Sequence, residues 1–409
     1  MEYIPVVTSG GEPREFLAIV NDIVKVVSSR GVRWFLWIDD IGVDVTDFVD
    51  RDKVLRLGES VLDLSKLFDE SPWLFAKTVE SVDEYVSVVK DLCKEVEGKK
   101  VAQAFSGGKD SSVALAALNK LRNYVDFELD VVYVHMPFIE PEKNVSEAIR
   151  IARILGSELV VLEPPRKEVL RELRRFGLPK RGCRLCTYLK VAPLRFRSKA
   201  MGIDFQAYGD RMWEAGKRLE RLFFRFFLDK RLVSKHLGFT VIAPLTIVDV
   251  IELCRSMNAV HYMYLRGAHR VSCIYCPQKP IFELVASGID VEDPGLIDEI
   301  IKAEWERKYS RVGIDLESFK RFHLWRFTPS AAKNLLKAKE FCEKLVDKGR
   351  NVIKSSEILD AIRSPWIYGI KAPRVSISRV LRVFEDIARK IIEHRKSFRE
   401  SALTERQIP

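Results

Sequence analysis

No stretch of this 409-residue chain is apolar for long enough to span a bilayer, and Met1 to Gly10 lacks the pattern of a secretory signal. These absences lead us to expect a cytoplasmic protein with no membrane partner. Cysteine is scarce, at seven residues, and in a reducing compartment so few do not make a disulfide framework. Four of the seven fall into two C-x-x-C pairs, which reads as metal ligation or redox chemistry instead. Histidine is scarcer still, and His261, His269 and His323 show no ligand spacing among themselves. There is no internal repeat and no low-complexity tract.

What is present is the composition of a soluble globular protein, 47% hydrophobic and 31% charged, long enough for roughly two or three domains. A core of that size needs neither disulfides nor metal merely to fold. Charge is unevenly spread. The net charge of +10 divides into −7 over residues 1–100, +6 over 101–300 and +11 over 301–409, and residues 171–240 alone reach +12. An acidic front and a basic back point to a polyanionic partner, such as RNA, met through 171–240 and 301–409. A solvated surface rich in lysine and arginine is the plainer alternative.

Three regions follow from the pattern along the chain: an accessory region 1–98, a nucleotide-binding domain 99–295 and a basic helical region 296–409. Within 99–295 strands and helices alternate. Lys100 to Phe105, Asp130 to His135 and Glu158 to Leu162 read as strands, with Asp204 to Tyr208 and Phe239 to Ile242 after them. Ser112 to Leu121 and Asn144 to Leu155 read as amphipathic helices, the second capped by Asn144 or Ser146. This is the order of an α/β, doubly wound parallel sheet, which binds ligands at the carboxyl ends of its strands. Later, Ala331 to Leu345 and Ile377 to His394 carry helical periodicity, punctuated by Pro329, Pro365 and Pro373.

The first strand runs into Ser106-Gly107-Gly108-Lys109-Asp110-Ser111-Ser112. Paired glycines let backbone N–H groups approach an anion, the serine hydroxyls add donors, Lys109 adds a charge, and the following helix presents its positive end. Asp110 fits such a site mainly as a partner of Mg²⁺. Glycine turns between strand and helix are ordinary, but an ordinary turn does not explain lysine, aspartate and three serines in one loop. The spacing differs from the common P-loop. Phe105 to Ser112 resembles the PP-loop of the N-type ATP pyrophosphatases, whose fold is an adenine-nucleotide α-hydrolase-like sandwich. That resemblance implies ATP cleavage between the α- and β-phosphates, with Ser106, Gly107, Gly108, Lys109, Asp110 and Ser111 as the pyrophosphate and Mg²⁺ site, and Ser112 beside them.

Cys183-Arg184-Leu185-Cys186 and Cys273-Ile274-Tyr275-Cys276 are separated by 86 intervening residues. Two such knuckles can present four thiolates to one metal, either Zn²⁺ or a [4Fe–4S] cluster. A redox dithiol with an incidental second pair is the alternative. The surrounding segments resemble the phosphoadenosine phosphosulfate reductase family: Cys186 to Leu194, then Tyr208-Gly209-Asp210-Arg211, then Pro244 to Val250 and Tyr264 to Cys276. By this resemblance Arg211 contacts the phosphate or sulfate of the nucleotide, and Lys109, Asp110 and Arg211 form the catalytic set. Two departures stand out. Iron–sulfur reductases of the family carry adjacent cysteines, whereas Leu185 precedes Cys186 here. Their C-terminal Glu-Cys-Gly motif is also missing, and Cys342 has the setting of a packing residue in a helix. An intact loop suits an enzyme that splits ATP better than one that consumes an already adenylated sulfate. The expectation is therefore an adenylating sulfur-transfer enzyme using a sulfur donor or reductant. Sulfonucleotide reduction and a non-catalytic zinc-bearing RNA-binding protein are the alternatives.

Smaller signals stay divided. His135, at a strand end, suits a substrate contact or a satisfied structural role. Glu140 and Glu142 suit Mg²⁺ or a surface turn. The run Leu222 to Leu228 reads as core or interface before it reads as a stacking platform. Trp305, Tyr309, Phe322, Trp325 and Phe327, interleaved with basic residues, suit RNA contact or helical core.

Overall fold

The computed structural model describes residues 3–64, 75–214, 238–286 and 292–379, with positions 218, 221, 222, 225, 226, 231–233, 382, 385, 386 and 389. Most of the expected helix Ile377 to His394, and Phe223, Phe224, Phe227 and Leu228 of the aromatic run, lie outside these residues.

Strands β1 (Tyr3–Val7), β2 (Pro13–Val20), β3 (Ile23–Ser28), β4 (Gly31–Ile38) and β5 (Ile41–Asp44) form an antiparallel meander. Its tight turns place Asn21 and Asp39 at positive φ, where a short polar side chain is tolerated. A small hairpin follows, β6 (Val54–Leu57) and β7 (Ser60–Asp63).

Helix α1 (Val82–Val89) leads into the alternating region. There β8 (Lys99–Ala104), α2 (Lys109–Leu121), β9 (Phe127–Val134), α3 (Glu142–Ile154), β10 (Val160–Leu162), α4 (Arg166–Phe176), α5 (Leu185–Met201), β11 (Phe205–Ala207) and β12 (Gly238–Phe239) follow in turn. The five strands are parallel, in the order β10-β9-β8-β11-β12. The α/β parallel sheet expected from the sequence is thus the observed one. The chain winds outward from β8 through β9 to β10, then returns to the other side of β8. The direction reverses between β8 and β11, and sheets of this kind bind ligands beyond the carboxyl ends of the strands at such a reversal.

Helices α6 (Ile247–Ser256) and α7 (Tyr262–Leu265) complete this part of the molecule. Beyond them come α8 (Ile281–Ala286), α9 (Pro294–Glu304), α10 (Leu316–Arg321), α11 (Pro329–Asp347), β13 (Val352–Lys354) and α12 (Ser355–Tyr368). Strand β13 pairs antiparallel with β5 and becomes the sixth strand of the N-terminal sheet. One apolar core joins that sheet to α8–α12, with the Trp37 and Phe282 rings 4.9 Å apart. Inside it Asp22 receives a bidentate bond from Arg326, 2.8 Å at each oxygen, and an ion pair from Lys339 at 2.9 Å, all three fully buried.

Two sequence expectations shift locally. Helix α2 begins at Lys109, three residues early, so the basic residue of the loop sits in the first helical turn. Helix α3 begins at Glu142 after Pro141, with no side-chain cap. Asn144 is turned inward instead, bonding the Ser272 carbonyl and accepting from the Tyr262 hydroxyl. The aromatics Tyr309, Phe322, Trp325 and Phe327 are buried packing residues and are not free to stack on bases.

Candidate functional site

The loop after β8 is shaped by its own hydroxyls. Gly107 takes φ +70°, a conformation that favours glycine, and Gly108 is the residue before α2. Ser111 donates to the Gly108 carbonyl at 2.9 Å and accepts from the Ser106 amide at 3.2 Å. Ser106 in turn accepts from the Gly108 amide at 3.3 Å. Gln103, fully buried in β8, donates to the Ser111 carbonyl at 2.7 Å and ties the loop to the sheet. The Ser112 hydroxyl is buried beside them with no hydrogen-bond partner among the described residues.

Lys109 and Arg211 meet on Asp110. Lys109 Nζ donates to Oδ2 at 2.7 Å and Arg211 Nε to Oδ1 at 2.5 Å. Burial opposes ionisation of Asp110, but the two cations outweigh it and hold the carboxyl well below the usual range. Arg211 itself is fully buried and also donates to the Leu245 carbonyl. Its loop, Tyr208 to Arg211, follows β11 and so arrives from the other side of the switch point. Gly209 permits the approach: a Cβ there would lie 2.8 Å from the Asp110 carbonyl carbon and 2.9 Å from the Ser111 nitrogen. Sequence distance conceals this joint, since Asp110 and Arg211 are 101 residues apart.

The cysteine knuckles sit near the exit of β9. All seven cysteines are free thiols, with Cys183 exposed, Cys186 and Cys276 half-buried and Cys273 buried. Cys186 lies within electrostatic reach of Cys276 and Cys183, and Cys273 within reach of Cys276 and Cys186, so the two pairs converge. Burial is the main cause that raises the Cys186 and Cys273 thiols above their ordinary value. The Leu185 amide donates to Cys183 Sγ at 3.4 Å. Lys190 adds a cation: burial works against its charge, but Cys273 and Glu140 outweigh that and raise it. Among the described residues no group of three or more His, Cys, Asp and Glu side chains is arranged to hold a metal ion.

Residues 100–279 match the family model for the phosphoadenosine phosphosulfate reductase domain. The matched residues take in the Ser106–Ser112 loop, Arg211 and both cysteine pairs. Among proteins similar to the chain is an uncharacterized protein of Methanocaldococcus jannaschii, 24% identical over 75% of this chain and 74% of its own length. A tRNA-cytidine(32) 2-sulfurtransferase of Vibrio cholerae is 25% identical over 51% of this chain and 67% of its own. A similar solved structure is the U34-tRNA thiolase NcsA from Methanococcus maripaludis with its [4Fe-4S] cluster. It has 18% identity and a TM-score of 0.34, covering 57% of this chain and 82% of that one.

Several parts of the site around this loop were not legible beforehand. Tyr264 accepts the Lys109 amide on its hydroxyl at 3.0 Å, and its ring stacks on Trp366 of α12 at 4.3 Å. The C-terminal region therefore braces the Ser106–Ser112 loop. The His261 ring touches the position where a Gly107 side chain would lie, 3.2 Å from that Cβ to Cδ2. Its Nδ1 accepts the Met263 amide and burial lowers its pKa to about 4, so the ring is neutral. His135 is engaged through both ring nitrogens, to Glu163 at 3.0 Å and the Glu140 carbonyl at 3.1 Å, which is the structural role. Glu140 is buried and bonded to Tyr133, Lys190 and the Met136 amide, whereas Glu142 points outward. Neither glutamate is placed beside Asp110 by any contact in the structure. Among the described residues no helix is long and apolar enough to cross a membrane.

Proposed function

We propose that the chain is an ATP-dependent enzyme that adenylates an oxygen of an RNA base, after which a sulfur nucleophile from a donor attacks the carbon and the oxygen leaves with AMP. The observation that carries this reading is the intact Ser106–Ser112 loop at the switch point, with Lys109 and Arg211 converging on Asp110. An acceptor oxygen would attack the α-phosphorus of ATP, the bond to the bridging oxygen would break, and pyrophosphate would leave. Lys109 and the positive end of α2 would stabilise the leaving charge. In the structure Lys109 rests on Asp110. Moving it to a phosphate frees Oδ2, and Asp110 then becomes available to Mg²⁺ while Arg211 keeps hold of Oδ1.

The cysteines fit a metal group by donor chemistry: four thiols from two converging loops, with Lys190 beside them to offset thiolate charge. Cys183, Cys186, Cys273 and Cys276 would hold a [4Fe–4S] cluster, or Zn²⁺ in its place. A cluster would supply an iron site for carrying sulfur or relaying electrons. Burial raises the Cys186 and Cys273 thiols, and because thiolates are the ligands, metal binding there would release protons.

RNA as the acceptor is supported by the basic stretch 171–240 and by the named activity of the Vibrio relative. Sulfonucleotide reduction would need an accessible cysteine late in the chain. Cys342 is fully buried in α11, and burial pushes its thiol up to about 12. The test is pyrophosphate release from ATP by anaerobically purified protein, with and without unmodified tRNA transcripts. RNA-stimulated release is expected, and Lys109→Ala should lower it by on the order of 100-fold or more. Sulfite release from adenylylsulfate without ATP, or no pyrophosphate under any condition, would refute the reading.

A further inference from the structure

We propose that the outer face of α5 is the docking surface for unpaired RNA, which rests on the reading of RNA as acceptor. Helix α5 spans Leu185–Met201, yet buries only Leu185 and Leu189 fully. A helix of that length, about 25 Å, normally covers a continuous apolar stripe. Here Tyr188 is 60% exposed and Phe196 79% exposed, the latter the most exposed of the large apolar side chains among the described residues. Leaving two aromatic rings in water on one helix is unfavourable unless something covers them.

The charges say what covers them. Helix α5 contains no aspartate or glutamate. Arg184, at its start, and Arg195 and Lys199 are exposed and share a helical face with Tyr188, while Phe196 flanks it. Arg197 points to the other side, held by Asp130 at 2.7 and 2.8 Å. Beyond the helix the surface continues to Tyr208, exposed and within electrostatic reach of Arg195 and Arg221. A second copy of this chain would bring like charges together, so self-association is disfavoured. A partner that is polyanionic and also offers flat apolar faces is unpaired nucleic acid, with bases stacked on rings and phosphates met by cations.

Position supports the same occupant. The face begins at Arg184, two residues before Cys186, and ends at Tyr208, whose loop reaches Asp110 through Gly209. RNA lying on it would run between the cysteine knuckles and the phosphate loop.

The test is fluorescence anisotropy of the full chain with a labelled RNA hairpin bearing an unpaired loop, and with the same strand annealed to its complement. Wild-type protein should prefer the hairpin. Tyr188→Ala with Phe196→Ala should weaken hairpin binding by about tenfold or more, with duplex binding nearly unchanged. Arg184→Ala, Arg195→Ala and Lys199→Ala together should lower the slope of log affinity against log salt by about two. ATP affinity and melting temperature, read on each variant, should stay at wild-type values. Equal hairpin affinity in wild type and the aromatic variant overturns the surface while leaving RNA as acceptor. No binding of either RNA by wild type overturns both. A dimeric wild type made monomeric by the aromatic change, with hairpin binding intact, assigns the face to self-association and overturns the proposal.

Discussion

Replacing Asp22 by alanine tests the deepest electrostatic joint in the molecule. Its two oxygens receive Arg326 Nη1 and Nη2 at 2.8 Å each, the Ile281 amide at 2.8 Å and Lys339 at 2.9 Å. All three charged side chains are fully buried, so solvent cannot take over the role of the lost carboxylate. Two cations would be left facing each other in the core, and breaking a buried ion pair in this way costs about 3–5 kcal/mol. Urea unfolding followed by tryptophan fluorescence reads the loss, because Trp37 and Trp325 are both buried in the same core. The consequence also reaches the cysteines. Arg326 Nη1 donates to the Lys279 carbonyl at 2.7 Å, and the Arg326 carbonyl accepts the Arg181 amide at 2.9 Å. Lys279 follows Cys276 and Arg181 precedes Cys183, so both knuckles hang on this arginine. Thiol labelling under native conditions should therefore accelerate in Asp22→Ala. A loss below about 1 kcal/mol, in the range of an exposed ion pair, would refute the account. Adding Arg326→Met and Lys339→Met to the variant should recover much of the stability, since apolar replacement removes the stranded charges.

The remaining predictions concern the phosphate loop and its supports. Gly209→Ala places a methyl carbon 2.8 Å from the Asp110 backbone, so the Arg211 loop must retreat. Calorimetric titration should show ATP affinity falling about tenfold or more, a loss of about 1.4 kcal/mol. Tyr264→Phe removes the acceptor of the Lys109 amide and should cost about 1–3 kcal/mol in stability, read by thermal unfolding, as a buried donor goes unpaired. His261 supplies a pH dependence. Its folded pKa of about 4 lies below the usual value of about 6.5, so the unfolded chain binds the proton first. Stability contributed by the neutral ring is complete above about pH 6.5 and falls as pH drops toward 4, by up to about 3 kcal/mol. His261→Gln should flatten that part of a stability–pH profile, and an unchanged profile would show that the ring carries no such penalty.

The sequence alone determined the parts whose physics is local. A short buried strand, two glycines and three serine hydroxyls specify a strand–turn–helix, because those backbone and side-chain preferences act within a few residues. Alternating periodicity likewise carried the parallel sheet, and C-x-x-C spacing identified both knuckles. Only the tertiary structure decided which distant groups meet. Arg211, expected on the ligand, reaches Asp110 because the winding direction reverses between β8 and β11. Tyr264 and Trp366 brace the loop from the far end of the chain, and β13 closes the N-terminal sheet. The aromatics between Tyr309 and Phe327 became core, while Tyr188 and Phe196 stayed in water, although periodicity alone treats the two sets alike. Burial depends on what packs opposite a side chain, and long-range packing of that kind leaves no mark in the residues nearby.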